Sequence, residues 1–405
     1  MKELDVVVFG ATSFVGQILV NYLHEQYGSS KMRWAIAARS PEKLQRLRQE
    51  LNLTEDQVPS FIADSNDESA LRLLCERARV VISTVGPYAL YGETLVRLCA
   101  ETGTDYCDLT GEVQWIRRML KRYESLAQES GARIVHCCGF DSIPSDLGVY
   151  AVQQAAVQRF GKPCETISMR VKAMRGGFSG GTAASLLNVA KEASKDPALR
   201  RELANPFSLC PTGSGPRQPR SGGTAFDQEF NCWTAPFIMA GINTRIVHRS
   251  NALAKHAYGE KFRYSEAVLT GRGFKGRIAA QMTTLGLSLF MLASAFSPTR
   301  SLLERFALPK PGEGPSPEAQ LKGFFDLRFI GQTDDGRRLR GKVTGDRDPG
   351  YGSTAKMIGE AAACLAFDVP QTVGGGGFWT PASLLGQALI KRLESHAGLK
   401  FEIED

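Results

Sequence analysis

Along the first 140 residues, short apolar runs alternate with longer stretches whose apolar positions recur every three or four residues. The runs LDVVVF (4–9), MRWAIAA (32–38), PSFIAD (59–64), RVVISTV (79–85), DYCDL (105–109) and ARIVHCCG (132–139) are short and mostly β-branched or aromatic, as strands are. Between them, residues 15–26, 41–51, 67–78, 92–103 and 112–131 carry the helical period. Strand and helix in alternation predict βαβ units and a Rossmann-type, doubly wound parallel sheet, an α/β fold.

The pattern changes after residue 140. TISMRVKAM (166–174) reads as a strand, and TAASLLNVAKEASKD (182–196) as a helix capped by Thr182. Residues 205–224 are rich in Pro, Gly and Ser and predict a long loop. GFFDLRFIGQT and RRLRGKVTG flank the turn sequence DDG and predict a hairpin. From Ser353 the helical period returns in TAKMIGEAAACLAF and PASLLGQALIKRLESHAG. Three parts are therefore expected: residues 1–140 as the Rossmann domain, 141–350 as a mixed α+β domain, and 351–405 as C-terminal helices.

Residues 278–299, IAAQMTTLGLSLFMLASAFSPT, carry no charge, while Arg272, Lys275 and Arg277 precede them and Arg300 and Arg305 follow. The length nearly matches a bilayer, but Gln281, Thr283, Thr284, Ser288 and Ser294 interrupt it. A buried domain helix, a helix lining a lipid groove or resting on a membrane surface through residues 278–296, and a true span all fit.

A net charge of +7, with no basic run interleaved with aromatics, argues against nucleic acid as a partner. Nine scattered cysteines without a CxxC pair argue against a metal site. With a strand starting near residue 4, they suggest reduced thiols and a cytoplasmic protein.

The chemistry starts at the end of the first strand. Gly10, Ser13 and Gly16 form G-x-x-S-x-x-G between a strand and a helix, the context in which backbone amides hold a pyrophosphate. Gly10 makes the turn, Thr12, Ser13, Phe14 and Val15 line it, and Gly16 lets the helix pack. The Ser13 hydroxyl is expected to donate to a phosphate oxygen. A valine at Gly10 is expected to block the cofactor and leave the fold intact. At the end of the second strand stand Arg39, Ser40 and Lys43, where NAD-binding proteins often carry an acid. A cation and a hydroxyl suit a 2′-phosphate, which favours NADP(H). Asp64 can meet the adenine amino group, and Thr84, Gly86 and Pro87 would run along the nicotinamide half.

Hydride transfer to a double bond also needs a proton. Tyr88 and Tyr91 in GPYALYG, Tyr106, Asp108 and Glu112 in DYCDLTGE, and Asp141, Ser142 and Asp146 in GFDSIPSD lie in or just after the ends of strands. Tyr88 and Asp141 are the candidates put forward; Asp108 and Glu112 suit helix capping, and His136 suits the core.

Taken together, GATSFVG, AARS, STVGPYALYGETLV, TDYCDLTGE, HCCGFDSIPSDLG, GGFSGGTAAS, WTAPFIMAGINTRIVHRS and GGGFWTPAS resemble the saccharopine dehydrogenase-like oxidoreductases. The middle motifs are most similar to the trans-acting enoyl reductase subgroup. The resemblance implies an NADPH-dependent reductase of carbon–carbon double bonds in lipid-like or polyketide-derived substrates, small or acyl-linked, and a fold in which the helices of residues 351–405 return to the Rossmann domain. A cofactor-binding, lipid-associated protein without turnover and a saccharopine-type amino-acid or imine dehydrogenase are the alternatives. Ser13 departs from the family's usual middle glycine. Oligomeric state is left open.

Overall fold

The computed structural model describes residues 2–177, 180–219, 222–306 and 314–404. The chain divides into two compact units. One comprises Met1–Phe140 with Gly350–Gly398. The other comprises the described residues of Asp141–Lys310, with Pro315–Pro349 and the chain from Leu399.

The first unit is built on a parallel sheet of β1 (Leu4–Phe9), β2 (Trp34–Ala38), β3 (Ser60–Ile62), β4 (Ala78–Ser83), β5 (Asp105–Asp108), β6 (Arg133–Val135) and β13 (Gly377–Trp379). Its order is β13-β6-β5-β4-β1-β2-β3. Val6, Val7 and Val8 of β1 are wholly buried, as expected for a parallel strand covered on both faces. The order reverses between β1 and β4, where Val8 pairs with Ile82 on one side and Ile36 on the other. β6 ends sooner than the apolar run predicts, because Cys137 adopts φ +61° and its amide turns to the Asp108 carboxylate at 3.2 Å.

The late segment joins this unit by polar ties as well as packing. Arg133 is buried against Asp105 and donates to the carbonyls of Leu365 (2.9 Å) and Val369 (2.8 Å). Glu360, wholly buried on the Thr354–Ala363 helix, accepts from the hydroxyls of Tyr22 and Tyr27, each at 2.6 Å, and from Arg392 at 3.0 Å. Burial and the adjoining Glu360 hold both phenols well above their ordinary range. β13 then extends the sheet, with Phe378 opposite Ile134, a strand the sequence pattern did not predict.

The second unit contains a mixed sheet of β7 (Thr166–Arg175), β8 (Ala225–Asp227), β9 (Cys232–Ala235), β10 (Arg263–Gly271), β11 (Phe324–Gln332), β12 (Arg338–Gly345) and β14 (Leu399–Glu404). Its order is β14-β12-β11-β7-β10-β9-β8, with only β7 and β10 parallel. The predicted hairpin is β11–β12, with Gln332 paired to Arg338 across the turn. Helices Ile143–Phe160 and Ala240–Leu253 were not predicted. The predicted cap Thr182 falls inside the Gly180–Lys195 helix, and its side chain lies outside the described residues. The expectation of helices to residue 405 also needs correcting. β14 pairs with β12, Phe401 opposite Val343, so the chain end belongs to the second sheet.

Residues 278–295 of the uncharged stretch lie in the Gly273–Ala295 helix, a second helix starts at Ser297, and the buried-helix reading fails. Only Gly276, Ala280 and Ser294 are buried on the Gly273–Ala295 helix.

Candidate functional site

The parallel sheet brings Gly10, Arg39, Asp64, Thr84 and Asp108 to the carboxyl ends of β1, β2, β3, β4 and β5. The reversal of strand order lies between the first and fourth of these, the usual crevice for a ligand in an open α/β sheet.

Gly10 has φ +89°, and a Cβ there would stand 2.6 Å from Thr84 Oγ1 and 2.7 Å from Val85 Cγ2. A Cβ on Gly16 would lie 2.1 Å from the Gly10 carbonyl oxygen. The turn is thus closed against its own helix and the residues after β4: backbone contact requires glycine at 16, and the positive φ with the Thr84 and Val85 side chains requires it at 10. This revises the expectation that Gly10→Val spares the fold. The role expected for Ser13 also changes. Its Oγ caps the Phe14–Tyr27 helix by accepting from Gly16 N at 2.9 Å, and it lies 2.9 Å from Thr84 Oγ1. Thr84 in turn donates to the Gly10 carbonyl at 2.9 Å. Serine here locks the turn to β4, a job that a glycine could not do. Thr12, Phe14 and Val15 are half-buried around it, and the Phe14 ring meets Tyr351 edge-on at 4.9 Å.

Arg39 and Lys43 are exposed. Ser40 caps the Pro41–Leu51 helix by accepting from Lys43 N at 3.2 Å, and donates to Glu42 at 2.8 Å. That bond lowers the Glu42 carboxyl below its ordinary value. The sequence reading passed over Glu42, which stands beside the expected phosphate cation. Asp64 accepts from the Asn66 backbone and side chain at 3.0 and 3.1 Å, both on Oδ1.

After β4, Gly86 is exposed and Pro87 caps a short helix, Tyr88–Tyr91. Tyr88 is buried; its hydroxyl donates to the Ser83 carbonyl at 2.9 Å and accepts from Leu109 N at 3.1 Å. Its proton is committed to the backbone, so the geometry gives no support to Tyr88 as proton donor. Glu112 accepts from the amides of Tyr88 (2.8 Å) and Ala89 (3.1 Å), so it caps that short helix rather than the one that follows it. Asp108 binds His136 Nδ1 at 2.7 Å, inside a cage of Trp115, Tyr106 and Phe378 rings. His136 Nε2 has no hydrogen-bond partner among the described residues. Asp108 and His136 end adjacent strands, so pairing the predicted strand ends would have found them.

In the second unit, Asp141 is half-buried, and burial raises its carboxyl to about 7. Asp146 and Ser142 serve the interior: Asp146 accepts from Ser250 at 2.5 Å, and Ser142 donates to Asn243 at 3.2 Å. Glu266 accepts from Tyr264 (2.8 Å) and Asn243 (3.0 Å), and burial pushes it up to about 7. It lines a cavity of about 810 Å³, with Pro206, Phe207, Phe237 and Arg245 among the walls. Arg245 is buried, and its Nε has no partner among the described residues. Nothing in the local sequence marked Glu266 or Arg245, since each sits in an ordinary strand or helix pattern.

These features fit a dinucleotide whose pyrophosphate lies on the Gly10–Gly16 turn and whose 2′-phosphate meets Arg39. Comparison with known proteins identifies the domain and its cofactor. Residues 6–135 match the saccharopine dehydrogenase NADP binding domain, and this chain is an NADP-dependent oxidoreductase. A Mycobacterium tuberculosis (strain ATCC 25618 / H37Rv) protein named "Putative trans-acting enoyl reductase" is 40% identical over 99% of this chain and 97% of its own. The trans-acting enoyl reductase of Mycobacterium ulcerans (strain Agy99) is 36% identical over 97% of this chain and 96% of its own. Among solved structures, apo saccharopine dehydrogenase (L-Glu forming) from Saccharomyces cerevisiae shares the fold. Its TM-score is 0.54 at 16% identity, covering 99% of this chain and all of that one.

Proposed function

Because the chain belongs to the trans-acting enoyl reductase family, we infer that it uses NADPH to reduce the carbon–carbon double bond of an acyl-linked, lipid-like substrate. The observation that carries this reading is 37–40% identity over nearly the whole chain to proteins named enoyl reductases, in a chain whose Gly10–Gly16 turn joins β1 to its helix, where such sheets bind dinucleotides. When bound, the reduced nicotinamide supplies a hydride for the β-carbon of the enoyl group. The chain's own residues do the rest. The amides of the turn would hold the pyrophosphate, and Arg39 and Lys43 would supply the cations for the 2′-phosphate. Asp141, with a carboxyl near 7, is the candidate that supplies the proton for the α-carbon. Phe207 and Phe237 give the 810 Å³ cavity an apolar wall opposite polar groups that include Arg245 and Glu266, and each acyl methylene buried on that wall would contribute about 0.8 kcal/mol. A cytoplasmic location fits nine free cysteines.

The test follows loss of reduced-nicotinamide absorbance with trans-2-enoyl thioesters of increasing chain length, free and carrier-linked. Turnover with a saturated acyl product supports the reading. NADPH binding without oxidation by any enoyl thioester, or oxidation only with a keto acid and an amine, overturns it.

A further inference from the structure

The Gly273–Ala295 helix is the one helix among the described residues long and apolar enough to cross a membrane, and it is mostly uncovered. Phe274 is 76% exposed, Met282 64% and Phe296 60%. Ile278, Met282, Leu285, Leu289, Leu292 and Phe296 follow at steps of four and three, so they form one exposed face. At 1.5 Å per residue, that face is about 27 Å long.

The opposite side is tied to its own unit. Thr270 Oγ1 donates to the Gly276 carbonyl at 2.9 Å, the Thr284 and Thr224 hydroxyls lie 3.0 Å apart, and the Arg277 guanidinium sits over the Trp233 ring at 5.4 Å. A transmembrane course would carry β9 and β10, which pack on this helix, into hydrocarbon with their sheet. Charge argues the remaining choice. From Ala267 to Leu303 the chain has no acidic residue, whereas Arg272, Lys275, Arg277 and Arg300 bracket the uncharged run. Pairing with a second copy, parallel or antiparallel, would set cation against cation with no acid on this segment to offset it. An anionic lipid surface complements both the apolar face and the basic ends.

We propose that the Gly273–Ala295 helix docks the protein in the plane of an anionic phospholipid membrane, with the Ile278–Phe296 face inserted and the basic ends at the headgroups. The proposal is independent of the catalytic reading.

The full chain is sedimented with vesicles of phosphatidylcholine alone and of phosphatidylcholine mixed with phosphatidylglycerol. Binding to the mixed vesicles is expected. Arg272→Ala with Lys275→Ala should weaken it by about 25-fold, at about fivefold per basic residue. Leu285→Glu with Leu289→Glu should abolish it; both side chains are exposed, so the thermal melt should not move. Independently, Leu289→Trp fluorescence should shift to the blue when mixed vesicles are added. Absence of binding to the mixed vesicles overturns the proposal, as does unchanged binding by the double-glutamate variant. A stable dimer that dissociates on the same substitutions, with no vesicle binding, also overturns it and assigns the face to a second copy.

Discussion

Arg39→Ala tests the cofactor reading where the structure isolates one contact. Arg39 follows β2, is exposed, and no ion pair engages it among the described residues, so its removal should leave the thermal melt in place. A hydrogen bond between charged groups is worth about 1.5–3 kcal/mol. Because Arg39 is solvated and screened, the low end applies, which is about tenfold in Kd. Calorimetric titration should therefore show NADPH binding about tenfold weaker in the variant and NADH binding unchanged. The difference should shrink as the screening length falls from about 10 Å at 0.1 M salt to about 3 Å at 1 M. Glu42, held two residues downstream by Ser40, points the opposite way: Glu42→Gln should tighten NADPH and not NADH. Equal affinities of the unmodified protein for both cofactors would refute the reasoning. So would an Arg39→Ala variant that weakens NADPH and NADH alike, since Arg39 would then serve the shared part of the dinucleotide.

Other expectations follow from the same geometry. Asp141→Asn should remove turnover while leaving NADPH affinity intact; in the unmodified enzyme the rate should fall as pH rises through about 7, where this acid loses its proton, and stopped-flow pH profiles would show it. Glu266 has its folded pKa raised to about 7, above the ordinary 4.5, so it binds more protons folded than unfolded across that window. Stability should be fullest below about 4.5 and fall as pH rises through 7, and Glu266→Gln should flatten that slope in denaturant titrations. Glu360→Ala leaves the Tyr22 and Tyr27 hydroxyls without their carboxylate acceptor, while Arg392 keeps Asp368, and should cost about 1–3 kcal/mol of stability by chemical denaturation. Gly10→Val should lower the melting temperature as well as abolish NADPH binding, because its Cβ meets Thr84 and Val85.

The strands and helices of the first 140 residues were legible because a covered parallel sheet writes itself locally: short apolar runs, helical periods, and glycines where β1 turns. Strand ends were legible with them, and so were Gly10, Arg39, Asp64 and Thr84 as neighbours. What each hydroxyl and carboxylate does there was not. Ser13 caps and locks its turn, Tyr88 is held by backbone groups, and Glu112 caps a helix 24 residues earlier in the chain. Such partners depend on which strands lie side by side, and periodicity within one segment carries no record of its neighbours. The same limit hid β13 and β14, short runs that become strands only because the edges beside β6 and β12 accept their hydrogen bonds. For residues 278–299 the sequence determined an uncharged helix bracketed by cations. Only the tertiary structure decided which side is covered, because burial is a property of what packs against a helix and not of its composition.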